Sequence, residues 1–225
     1  MEQNVSVSTR TGDAVDIAPA IRRTRTLLLA GAAAGPLFTV VVAGQLLTRE
    51  GFDLAHHPLS LLSLGDLGWI QVGNFVVAGA LVLALAAGIR RTLADGPGRT
   101  WGPVLVAGYG VGLVMGGVFL PDPGLGYPPG TPDGIPDDFT WHGILHAVAP
   151  PLAFTALVAA SLVLTRRFAR NRQRGWAFYS AATAVVAVVL SAWPDQDSAS
   201  VRLAVASGIG FCWTTAIAVH LRGRA

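Results

Sequence analysis

The chain has no lysine, one cysteine and few charges of any kind. Only 13% of its 225 residues are Asp, Glu, Lys or Arg, whereas a soluble globular domain carries about 25%. The lone thiol, Cys212, excludes an internal disulfide, and no CxxC pair is present to hold a structural zinc. GxSxG, the P-loop and HExxH are also absent, which removes the usual marks of a serine hydrolase, a nucleotide-phosphate enzyme and a zinc protease. The glycines of GYGVGLVMGG follow no strand pattern, so a dinucleotide-binding reading fails as well. Because all sixteen basic residues are arginine and Ala, Val and Gly are abundant, the missing lysine reads as a compositional bias rather than a functional one.

What the chain does have is long uncharged apolar runs. They fall at about Thr26–Leu47, Leu67–Ile89, Trp101–Leu120, Trp141–Leu164, Trp176–Trp193 and Val201–Leu221. Each approaches the ~20 residues a helix needs to cross a bilayer. Backbone groups in lipid must be satisfied within the membrane, and the alternating ten-residue segments of a β-barrel are absent. The expected fold is therefore all-α, a polytopic membrane bundle of six transmembrane helices. Small residues, as in GAAAG of the first span, allow close helix approach. Residues 1–22 read as a disordered polar tail without a secretory cleavage pattern, and residues 23–225 as one membrane domain.

Charge asymmetry sets the expected orientation. Arg10, Arg22, Arg23, Arg25, Arg90, Arg91, Arg99, Arg166, Arg167, Arg170, Arg172, Arg174, Arg222 and Arg224 all alternate to one side of the spans. Positive charge stays cytoplasmic, so both termini are expected inside a bacterial plasma membrane. This placement also explains the pI near 9.7 without invoking nucleic acid. Trp101, Trp141, Trp176 and Trp193 sit at span ends, as interfacial anchors do.

The opposite side collects the reactive side chains. HHPLSLLSLGDLGWIQVGN supplies His57, Ser60, Ser63, Asp66, Gln71 and Asn74, the last two on one helical face. Asp122 follows span three. In HGILH, His142 and His146 project from one face of span four. Asp195 precedes span six, and Arg202 lies within its outer end. His56 is expected to point to solvent, His220 to be interfacial, and Asp133, Asp137 and Asp138 to be solvated. Pro150 and Pro151 should kink or open span four just below His146. The Pro-rich segment PDPGLGYPPGTPDGIPDD can be neither helix nor central strand and should cover this face.

Ionisable groups near the membrane interior are costly and usually partnered. Three readings compete. The groups tie down the outer loops, with Arg202 paired to Asp122 or Asp66 first and to Asp195 otherwise. Alternatively, His57, His142 and His146 bind a divalent metal such as zinc, completed by an aspartate. A third reading is a pocket for a lipid head group or small solute.

The runs HHPLSLLSLGDLGWIQVGNF, FLPDPGLGYPPGTP and HGILHAVA resemble the bacterial membrane family known as domain of unknown function 998. The resemblance covers about Arg25 to Arg222. It implies a six-helix membrane protein with signature positions at His57, Pro58, Ser60, Asp66, Gln71, Asn74, Asp122, Pro123, His142, His146 and Arg202, and it implies no reaction. A more distant likeness, through His142 and His146 alone, is to zinc-dependent membrane hydrolases of the alkaline ceramidase group. The chain departs from that pattern in having six spans rather than seven and in placing Ser60 after His57. The leading expectation is a transport-like or non-enzymatic protein that binds a lipid or small molecule. A metal-dependent intramembrane enzyme acting on a lipid-like substrate is the alternative.

Overall fold

The computed structural model describes residues 12–136 and 138–224, with side chains from Ala18 onward. Six helices follow one another: α1 Gly12–Thr48, α2 Gly68–Thr92, α3 Trp101–Val118, α4 Trp141–Arg170, α5 Arg174–Ala192 and α6 Ala199–Arg222. A 3-10 turn, Leu59–Ser63, precedes α2. No β-strand occurs among the described residues.

All six helices are long and apolar enough to cross a membrane, and α3, with 18 residues, is the shortest. At 1.5 Å per residue even α3 reaches about 27 Å, close to the ~30 Å of a hydrocarbon core. Leu29, Val40, Val77, Val111, Leu162 and Val185 are exposed on the bundle surface. Such a surface is a liability in water and the natural exterior in lipid. The protein is a multi-pass membrane bundle.

Each helix packs against its neighbours in the chain, and α1 against α6, so the six close into a ring. Small residues set the tightest contact. A Cβ on Gly79 of α2 would fall 2.7 Å from the Gly110 carbonyl oxygen of α3. Inside the ring, Phe38 stacks on Phe211 at 4.7 Å, and buried Trp213 donates its Nε1–H to Ser180 Oγ at 3.0 Å. This core runs from Leu28 and Leu221 near the termini to Val42 and Leu113 toward the other end.

Three boundaries differ from the sequence reading. The first eleven residues of the expected tail lie outside the described residues, while 12–22 is helical, continuous with α1. Ala14, Ala18 and Ala20 favour helix there, and the helix runs through Pro19. Helices α2 and α4 extend past their apolar runs to Thr92 and Arg170. Arg90, Arg91, Arg166, Arg167 and Arg170 therefore lie on helix ends rather than in loops. Arginine is a good helix former, and its charge is favourable at a helix C-terminus.

The connections differ sharply between the two ends. At the arginine-rich end they are short. Arg167 Nη1 donates to the carbonyls of Asp95 at 2.5 Å and Pro97 at 3.0 Å. His220 packs on the Trp176 ring at 4.1 Å and meets the Gln173 amide at 3.0 Å. The other end, here the loop end, carries the long connections 49–67 and 119–140.

Candidate functional site

His57 organises the loop end. Its Nδ1 accepts the Asp53 backbone N–H at 2.9 Å, and its Nε2 lies 2.9 Å from the Leu125 carbonyl. A carbonyl can only accept, so the proton sits on Nε2 and both ring nitrogens are used. The ring packs between Phe52 and Tyr127, with each centroid 5.3 Å away. Ser200 Oγ donates to the His56 carbonyl at 3.0 Å, which ties the segment to α6. Arg49 Nη2 donates to the carbonyls of Leu62 and Leu64, the latter at 2.9 Å, and fixes the 3-10 turn. His56 is exposed and pairs with Asp53 at 2.9 Å. The Ala55 backbone N–H, and then the His56 side chain, hold the Asp53 carboxyl below its usual range.

Beneath this cap lies a partly open cleft. Pro58, Leu59 and Ser60 roof it. Its walls are Phe75 of α2, Tyr109, Leu113 and Gly116 of α3, His146, Pro150 and Phe154 of α4, and Leu203 and Ser207 of α6. Helix α4 is continuous through Pro150 and Pro151, and Pro150 faces the cleft. His146 is 7% exposed. Its Nδ1 lies 2.7 Å from the Phe119 carbonyl, so Nδ1 carries the proton. Nε2 is left with its lone pair and no hydrogen-bond partner among the described residues. The Tyr109 ring is buried at the base of the cleft, and its hydroxyl makes no hydrogen bond to the described residues.

The remaining candidates lie elsewhere. Gln71 and Asn74 share a face of α2, as their spacing predicts, and are joined by Gln45 of α1. Gln71 Oε1 accepts from Gln45 Nε2 at 2.7 Å and from Asn74 Nδ2 at 3.2 Å, and Asn74 Nδ2 also donates to the Phe38 carbonyl at 3.2 Å. Gln45 Oε1, Gln71 Nε2 and Asn74 Oδ1 are buried without hydrogen-bond partners. Sequence reasoning passed over Gln45 and Arg49. The available signal was a lone amide inside an apolar run and a second arginine on the loop side.

Asp122 caps α4. It accepts from Thr140 N–H at 3.0 Å and from Thr140 Oγ at 2.6 Å, at the helix end where negative charge is favourable. A Cβ on Gly143 would fall 1.8 Å from Asp122 Oδ2, so this approach requires glycine.

The Arg202 pairing expected from sequence is corrected: its acidic partner is Asp195, at 3.2 Å, rather than Asp122 or Asp66. Asp66 is exposed and forms no ion pair among the described residues. Arg202 also donates from Nε to the Leu190 carbonyl at 3.2 Å and from Nη2 to Trp193 at 3.0 Å, satisfying carbonyls at the α5 C-terminus. The 193–198 loop folds back so that the acid seven residues upstream is the nearest. The Ser198 hydroxyl, followed by loop N–H groups and Arg202, holds the Asp195 carboxyl below its usual range.

Among the described residues, no three His, Cys, Asp or Glu side chains come together to hold a metal. His57 has both nitrogens engaged by the backbone. His142 stacks on Trp141 at 3.6 Å and does not line the cleft that His146 faces.

No curated protein and no solved structure matches the chain. The family described as "Protein of unknown function (DUF998)" matches residues 32–220. That stretch takes in the cap, the cleft and the Gln45–Gln71–Asn74 cluster, and leaves out residues 1–31 and 221–225. The chain belongs to the DUF998 family.

Proposed function

We propose that the protein binds a lipid-like molecule in the cleft beneath the loop-end cap, without catalysing its conversion. One observation carries this reading: a largely apolar cleft at the loop-end half of a membrane bundle, roofed by a segment that His57 and Arg49 hold in place. No α5 residue lines the cleft, and the last buried residue of α5 is Ala187. Near the loop end α5 thus leaves the core. An acyl chain would enter from the bilayer on the side where α5 does not cover the cleft. Apolar lining with a few polar groups is the general make-up of small-molecule sites. The arginine bias supports an orientation with both termini cytoplasmic and the cap outside, in a bacterial plasma membrane.

The test is to fill the cleft. Ala204 lines it from α6. Protein purified in mild detergent should carry a bound lipid by native mass spectrometry, and Ala204→Phe should lose it while unfolding as the parent does. Equal lipid content in both proteins would refute the reading. For orientation, Thr131→Cys in a Cys212→Ser background should react with an impermeant thiol reagent on intact cells, whereas Arg172→Cys should not. The reverse labelling would move the cap to the cytoplasm.

A further inference from the structure

We infer that the ligand is an uncharged amphiphile with a hydroxyl head, a long-chain alcohol or its like, whose O–H donates to His146 Nε2. This rests on the lipid-binding reading above and narrows it.

The polar lining is small and carries no acid or arginine. A phosphate or an ionised carboxylate would be desolvated there without a counter-charge, which is prohibitive in a low-dielectric site. Arg49 and Arg202, the two arginines at the loop end, are already committed to carbonyls of the 3-10 turn and to the α5 terminus. The head must therefore be neutral.

His146 fixes the rest. Its Nδ1–H donates to the Phe119 carbonyl. That bond orients the ring and sets the tautomer, so the nitrogen left over for the cleft is an acceptor. An acceptor that a bound apolar chain would cover calls for a donor. Esters, ethers and ketones cannot supply one. A hydroxyl can, and its own oxygen can then accept from Ser60, which lines the cleft near its roof. The depth of the cleft and the apolar residues along it suit the chain. Tyr109 lies seven residues before Gly116 on α3, roughly 10 Å deeper by the helical rise. Leu113, Ala153 and Phe154 line the path between.

The probes are dodecanol, dodecyl methyl ether and dodecanoate, titrated into the delipidated full-length protein by native mass spectrometry at a pH where the acid is ionised. Wild type should bind the alcohol about tenfold more tightly than the ether, the equivalent of one hydrogen bond, with the carboxylate weakest. His146→Leu should abolish the alcohol's advantage and keep binding of the ether. Equal affinity of wild type for alcohol and ether overturns the inference and leaves the lipid-binding reading standing, as does a preference for the carboxylate. No binding of any probe, with Ala204→Phe indistinguishable from wild type, overturns both. The wild-type comparison stands even if the leucine variant does not fold.

Discussion

Replacing Gln71 with leucine probes the buried Gln45–Gln71–Asn74 cluster between α1 and α2. Gln71 is 0% exposed and Asn74 and Gln45 are each 4% exposed. The variant removes the acceptor shared by both neighbours, at 2.7 and 3.2 Å. Side-chain hydrogen bonds in membranes are worth about 0.6 kcal/mol, so losing the bond to Gln45 across helices and the bond to Asn74 within α2 costs about 1 kcal/mol. The stranded amides add to this, but each keeps a fallback. Gln45 Nε2 lies 3.4 Å from the Val41 carbonyl, and Asn74 Nδ2 retains Phe38. Their penalty thus falls toward the lower end of the ~1–3 kcal/mol range for unsatisfied groups. The expected total is about 1–3 kcal/mol. The cluster is only half satisfied in the parent, since three of its side-chain atoms have no partner. Replacing all three residues should therefore cost less than replacing one: Gln45→Leu, Gln71→Leu and Asn74→Leu together should return to within about 1 kcal/mol of the parent. Reversible unfolding in mixed micelles of rising SDS fraction, followed by far-UV circular dichroism, measures both. A neutral Gln71→Leu, or a triple variant that loses the sum of its parts, would refute the reasoning.

Gly143→Ala should destabilise by about 1–3 kcal/mol, because the Asp122 carboxylate must leave its bonds to Thr140; the same substitution made in an Asp122→Ala background should cost far less. Arg202→Ala, which uncaps α5 as well as breaking the ion pair, should cost about 1–3 kcal/mol. Asp195→Asn should cost under about 1 kcal/mol, since that pair is half exposed on the acid side and the carbonyl bonds of Arg202 survive; equal losses in the two variants would mean the ion pair, not the capping, holds the loop.

The six spans were legible because bilayer thickness imposes a length and composition that any sequence must show. The Gln71–Asn74 face was legible because helical spacing alone dictates it. His57 was legible as a candidate but not in its role: its partners are the Asp53 N–H and the Leu125 carbonyl, and backbone groups leave no mark in a sequence. The Arg202 partner was misjudged because the choice among three acids depends on how the 193–198 loop turns back. His142 and His146 share a helical face, as predicted, yet serve different surroundings. Which of them faces a cleft depends on how α6 and the 58–60 segment pack, a long-range matter. The extension of α1 back to Gly12 was hidden by a polar composition that reads as a tail.

The central claim is that the space bounded by α3, α4, α6 and the 58–60 cap holds an acyl chain. The most direct test is photolabelling of the protein in bilayers with a long-chain alcohol bearing a diazirine on its chain, followed by peptide mapping. The account predicts crosslinks concentrated on Leu113, Phe154 and Leu203, and their loss in Ala204→Phe. Labels spread over the lipid-facing positions Val77, Val111 and Val185, unchanged by that substitution, would contradict it.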